Sequence, residues 1–103
     1  LLANYPNPFN PETWIPYQLA EPAAVTLAIY DMNGQMVRRL AVGYRAAGIY
    51  QSRSRAVYWD GRNQFGESVA SGLYFYTLTV RTETRGETKV GGFTATRKML
   101  ILK

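Results

Sequence analysis

Cysteine and histidine are both absent from the 103 residues, and those absences remove most familiar site chemistry. Without thiolate or imidazole there is no zinc-type ligand set, no Ser-His-Asp or Cys-His nucleophile system and no redox dithiol. A cysteine-free chain fits the cytoplasm and the exterior equally, so the redox compartment stays open. Acidic residues are scarce too: seven Asp and Glu face twelve Lys and Arg, a net charge of +5 and a pI near 9.7. No spacing brings two carboxylates together as a glycosidase pair requires. The inventory therefore describes a non-enzymatic chain with no cofactor and no metal. The positive excess favours anionic partners such as nucleic acid, acidic glycan or lipid headgroups. The basic residues are scattered and no nucleic-acid module is recognisable, so nucleic acid is not expected as a partner. No apolar run approaches the ~20 residues needed to cross a bilayer, so no transmembrane span is expected. Leu1-Leu2-Ala3-Asn4 lacks the basic and apolar regions of a signal peptide. It reads as a linker end, with any signal peptide removed or belonging to a longer parent.

What is present describes one folded β domain. At 11.6 kDa, with 47% hydrophobic and 18% charged residues, the chain suits a single core and is too apolar for disorder. Pro6, Pro8 and Pro11 fall within six positions. Proline fixes φ and donates no hydrogen bond, so residues 1–12 are read as an extended, partly polyproline-like arm. Residues 13–103 are read as the sandwich proper. Thr13–Leu19 alternates as a first strand, with Pro16 restricting it to an edge. Val25–Tyr30 alternates more cleanly, with Val25, Leu27 and Ile29 inward, and Asn33-Gly34 signals a hairpin because both residues tolerate positive φ. Gln35–Leu40 is its partner. After the Ala46-Ala47-Gly48 turn, Ile49–Trp59 reads as two short strands joined by a bulge. Residues 60–66 form a tight loop with glycines at left-handed positions. Leu73–Val80, the most β-prone run, should be a central strand. The polar segment Arg81–Gly92 connects it to a last strand, Phe93–Leu102. About seven short strands with regular turn signals and no convincing helix describe an all-β, antiparallel sandwich.

Several motifs invite sharper readings beside plainer ones. Trp59-Asp60-Gly61 is a binding site, or a buried indole followed by a turn in which Asp60 accepts backbone N–H groups; the turn is preferred. Asp60, Asn63 and Glu67 lack the carboxylate number and spacing of a calcium loop. Trp14, Trp59 and the eight tyrosines could form a stacking surface for sugars or single-stranded nucleic acid. Tyr74 and Tyr76 flanking Phe75 instead read as two half-buried strand faces. Lys98, the strand-embedded lysine, would serve an isopeptide staple only if buried beside a carboxylate; a solvent-facing position is the plainer expectation.

Taken together, Asn4-Tyr5-Pro6-Asn7-Pro8-Phe9-Asn10-Pro11, Ile29-Tyr30-Asp31 with Gly34, Val37-Arg38 and Leu40, Ala47-Gly48, Trp59-Asp60-Gly61-Arg62 with Gly66, Val69 to Tyr76 and Thr96-Arg97-Lys98-Met99 closely resemble the C-terminal sorting domain of type IX secretion substrates. The middle part is also similar to the Ig-like domain of the flagellar hook-capping protein; the proline arm and the terminal Arg-Lys strand point to the sorting family. That resemblance implies an Ig-like β-sandwich ending a large secreted or cell-surface protein that passes through the periplasm. Its implied partners are N-terminal cargo domains, the outer-membrane secretion machinery and an anionic surface glycolipid. It maps the translocon-recognition signal onto Arg97, Lys98, Met99, Leu100, Ile101, Leu102 and Lys103. It makes Pro6, Pro8, Pro11, Trp59, Asp60, Gly61, Gly66, Ser71, Gly72 and Tyr74 structural motif positions. The segments between Gly48 and Trp59 and over Arg81–Gly92 are longer than the family pattern.

The expected interior is Trp59, Ile29, Leu27, Tyr74, Leu78 and Leu100. In the last strand either Met99 and Ile101 or Leu100 and Leu102 must face inward, leaving Arg97, Lys98 and Lys103 as a small cationic patch. Charge alternation through Arg81, Glu83, Arg85, Glu87 and Lys89 predicts a protruding β-ribbon with residues 85–87 near its tip, the most mobile part and the first cut by trypsin. The rival functional reading is a structural spacer or adhesion module using exposed aromatic surface; a hook-cap-like assembly domain is a third.

Overall fold

A computed structural model describes residues 1–84 and 87–102 and shows eight strands with no helix among them. They are β1 (Thr13–Ile15), β2 (Tyr17–Leu19), β3 (Ala23–Tyr30), β4 (Met36–Arg45), β5 (Gly48–Tyr50), β6 (Val57–Trp59), β7 (Gly72–Thr84) and β8 (Glu87–Ile101). A four-stranded antiparallel sheet runs β4-β3-β7-β8, and two short antiparallel pairs, β1-β6 and β2-β5, supply the facing layer of an Ig-like β-sandwich. Among the described residues no helix is long and apolar enough to cross a membrane.

Alternation builds the core. Val25, Leu27 and Ile29 of β3 and Tyr74, Tyr76, Leu78 and Val80 of β7 are buried, and they meet Ile15, Tyr17, Leu19, Val57 and Trp59 from the facing pairs. The aromatic and β-branched run in β7 occupies an inner position between β3 and β8, where both edges of a strand are paired and such side chains fit best.

Four expectations are corrected. Proline at 16 donates no hydrogen bond, and the expected first strand is split there into β1 and β2; this adds the eighth strand. Residues 51–56 join β5 to β6 through a turn closed by Arg55 N–H and Ala56 N–H donating to Ser52 C=O, rather than through a bulge. In the β3–β4 connection only Gly34 has positive φ, at 77°. The Asp31 carboxylate accepts from the N–H groups of Asn33 and Gln35, so an aspartate-stabilised loop replaces a two-residue turn. Leu100 is not in the interior: Met99 and Ile101 are buried and Leu100 lies half-exposed on the outer face. The β7–β8 pairing continues past the sandwich to Thr82↔Gly91 and Thr84↔Glu87, as the charge alternation implied; the tip at Arg85 and Gly86, and Lys103, lie outside the described residues.

Candidate functional site

The proline arm reaches across both ends of the sequence. Tyr5 forms an antiparallel bridge with Trp14, and Phe9 forms a parallel bridge with Ile101 in the last strand. Phe9 is the arm's large apolar side chain among prolines and asparagines, and it is 2% exposed, set edge-on against Trp59 at 5.7 Å between ring centroids. The buried Asn4 amide Nδ2–H donates to Thr13 Oγ1 and to Pro6 C=O. The hydroxyl of Tyr76 accepts from Asn4 N–H and donates to Leu2 C=O. Burial raises the Tyr76 pKa above its ordinary value, while the Asn4 N–H and the Arg97 guanidinium act in the opposite direction. The bends at 6–8 and 10–11 carry the arm around the sandwich rather than along a polyproline line.

The Trp59-Asp60-Gly61 corner is what holds the arm. Trp59 is 1% exposed; its indole N–H donates to Arg62 C=O at 2.9 Å, and its ring lies against Phe9 and Tyr74. Asp60 Oδ1 accepts from Arg62 N–H and lies 3.8 Å from the Arg38 guanidinium, a half-exposed contact of little energetic weight. Gly61 combines a φ of 77° with a Cβ position that would fall 2.3 Å from the Pro11 carbonyl oxygen. Only glycine fits both demands, so Gly61 is fixed by the arm's close approach as well as by the turn. Gly66, at φ 81°, closes the same loop, and Arg62 donates to its carbonyl. Tyr74 donates to Ala70 C=O across the Val69–Gly72 approach to β7; Ser71 is exposed there. The corner thus brings Pro11, Trp59, Asp60, Gly61 and Tyr74 together, whereas Pro6 and Pro8 lie elsewhere on the arm; all three prolines are exposed.

The oxygen-rich residues of this loop serve its own backbone. Asn63 Oδ1 accepts from Phe65 N–H and Glu67 N–H, and Asn63 Nδ2–H donates to Glu67 Oε1. The exposed-aromatic reading is similarly altered: Tyr5 stacks on Trp14 at 6.2 Å, Tyr58 tilts against it at 5.5 Å, and the Arg53 guanidinium sits 4.3 Å from the Trp14 ring centroid. These three rings pack against one another, while Tyr44 and Phe65 stay exposed elsewhere.

The last strand has two different parts. Met99 and Ile101 are buried in the core, while Arg97, Lys98 and Leu102 are exposed. At its lower end Leu100 C=O accepts from Phe9 N–H, Leu102 N–H donates to Phe9 C=O, and Leu100 N–H donates to Asn7 Oδ1. Next to this junction, Asn7, Phe75, Thr96, Arg97 and Lys98 line a shallow groove of about 550 Å³. Of the expected cations, Arg97 and Lys98 line this groove and Lys103 lies outside the described residues; Asn7 and Phe9 as edge partners were missed by sequence reasoning. The available signal was a phenylalanine set among prolines and asparagines in the arm.

Comparison with known proteins adds three findings. Residues 11–87 match the family profile described as the FlgD Ig-like domain. No curated protein matches the chain. Among solved structures, the fold is similar to part of the crystal structure of dimeric latent PorU from Porphyromonas gingivalis, with a TM-score of 0.67 and 22% identity over 97% of this chain. The chain spans only 9% of the length of that protein.

Proposed function

The chain belongs to the FlgD Ig-like domain family, and from that premise we propose that it is a non-catalytic sorting and anchoring domain that directs an attached N-terminal cargo across the outer membrane to the cell surface. The observation that carries the reading is the last strand. Its buried Met99 and Ile101 fix it to the sandwich, and its exposed Arg97 and Lys98 are presented at a defined place beside the arm. A receptor then meets a rigid shape with attached charge rather than a loose tail, which lowers the ordering cost of recognition. Similarity of almost the whole chain to a small part of a much larger protein supports a module carried on a larger parent. The partners are the secretion machinery of the outer membrane and, at the surface, an anionic glycolipid.

The test is export of a reporter fused before Leu1 in a type IX-competent host. Deleting 97–103 would remove Met99 and Ile101 from the core, so the informative variant is Arg97→Glu with Lys98→Glu, which changes two exposed side chains, Arg97 giving up its interaction with the Tyr76 hydroxyl. The intact fusion is expected at the surface and the charge-reversed one in the periplasm. Equal export of both overturns the sorting role in favour of a structural spacer or adhesion module.

A further inference from the structure

The two edges of the four-stranded sheet are treated differently. Along β4, Gln64 N–H donates to Val37 C=O and Gln64 Oε1 accepts from Arg39 N–H. The strand is bulged further on, where Val25 pairs Gly43 and Thr26 pairs Ala41, with Gly43 at φ 93°. Bulges and side-chain caps of this kind keep an edge from accepting another strand. Among the described residues the β8 edge is closed at its lower end, where Phe9 pairs with Leu100 and Leu102 in strand fashion and Asn7 completes Leu100 N–H. The β7–β8 register runs without a shift from Gly72↔Ile101 to Thr82↔Gly91. Backbone groups in an antiparallel strand alternate in direction, so the N–H and C=O of Thr94, Thr96 and Lys98 point outward as those of Leu100 do. Among the described residues none pairs with them.

We infer that the Thr94–Lys98 edge is a docking site for an extended acidic segment of a partner protein, which adds to β8 as a further strand where the arm leaves off. Three observations support this occupant. The arm's own pairing at Phe9 shows that the edge accepts a strand and continues directly into the open stretch. The charge has one sign: from Gly91 to Lys103 the sequence contains Arg97, Lys98 and Lys103 and no Asp or Glu, so carboxylates complement it and a second copy, bringing the same cations, does not. The groove beside it, with Phe75 half-buried and Asn7 at its end, offers an apolar contact and a stop. Strand addition takes affinity from main-chain hydrogen bonds and selectivity from alternate side chains. This deepens the sorting proposal by giving its recognition strand a binding mode, and it is tested without export.

The probe is a synthetic peptide of alternating valine and glutamate, titrated into the whole chain and followed by amide resonances and hydrogen exchange, with a valine–lysine peptide as the counterpart. The glutamate peptide is expected to slow exchange at Thr94, Thr96 and Lys98 and to bind at least tenfold more tightly than the lysine peptide, with the difference shrinking as salt is raised. Thr96→Pro removes one outward N–H, at an edge where proline is tolerated, and should weaken binding roughly tenfold, of the order expected for one or two lost hydrogen bonds, while leaving the unfolding midpoint in place. A version of the peptide with alternate amides N-methylated should lose binding to the unmodified chain as well, and so covers the case in which the proline variant fails to fold. Protection elsewhere, no binding, or equal affinity for the two peptides overturns the inference, and so does a dimer formed through these same amides. Loss of peptide binding with export intact defeats this mode alone; loss of export dependence on Arg97 and Lys98 with peptide binding intact defeats the sorting proposal alone.

Discussion

Two adjacent stretches at the C-terminal end of β8, Thr94–Lys98 and Met99 to just past Ile101, share a strand and a neighbour yet differ in almost every other respect. From Met99 to Leu102 the strand is pinned on three sides: Met99 and Ile101 enter the core, β7 pairs along one edge, and Phe9 with Asn7 closes the other. From Thr94 to Lys98 the same strand is paired, among the described residues, along β7 alone and carries Thr94, Thr96, Arg97 and Lys98 exposed. A continuous hydrogen-bonded ladder makes the Thr94–Lys98 stretch as well positioned as the other without burying it. Stability and display are thus separated along one strand, and the arm sets the boundary between them.

The largest way to break this contrast is at Trp59. Replacing Trp59 with alanine empties the space against which Phe9 and Tyr74 pack and should cost about 3–5 kcal/mol through the cavity, read by chemical denaturation, with the arm released from Leu100 and Leu102. Gly61→Ala should cost roughly 1–3 kcal/mol, because the left-handed backbone disfavours a side chain and its Cβ meets the Pro11 carbonyl. Its signature is faster exchange at Phe9 and Leu102 before global unfolding. Alkaline pH acts on the same clamp more gently. Burial raises the pKa values of Tyr17, Tyr74 and Tyr76 in the folded state. Their contribution to stability is therefore complete below the unfolded-state value of about 10 and is lost as pH rises through the folded values. Urea midpoints should fall above about pH 10, less steeply in Tyr76→Phe. Smallest is Arg97→Glu with Lys98→Glu, expected within about 1 kcal/mol of the unaltered protein because both side chains are exposed and only the Arg97 interaction with the Tyr76 hydroxyl is lost. If it unfolds the domain, the open stretch is structural after all.

Much of this contrast was legible in the residues. Alternation gave the inward sets of β3 and β7, and the Arg-Lys pair marked the exposed part of β8. Leu100 was misplaced because Met99-Leu100-Ile101-Leu102 is apolar on both faces, and period two cannot choose between them without knowing the pairing partner. The burial of Trp59 and the turn at Asp60-Gly61 followed from local chemistry, but the reason Gly61 must be glycine did not. It depends on Pro11, distant in sequence and brought there by the docking of Phe9. Proline content predicted an arm without helix; where that arm lies depends on long-range contacts through Phe9, Asn4 and Asn7 that no local pattern encodes.

Native-state hydrogen exchange resolved along β8 tests the division most directly. The amides of Leu100 and Leu102, held by Asn7 and Phe9, should exchange far more slowly than those of Thr94, Thr96 and Lys98, while Tyr76 and Leu78 across the sheet stay protected. Uniform protection from Thr94 to Leu102, or fast exchange at Leu100 and Leu102, would contradict a strand divided into a clamped stretch and an open one.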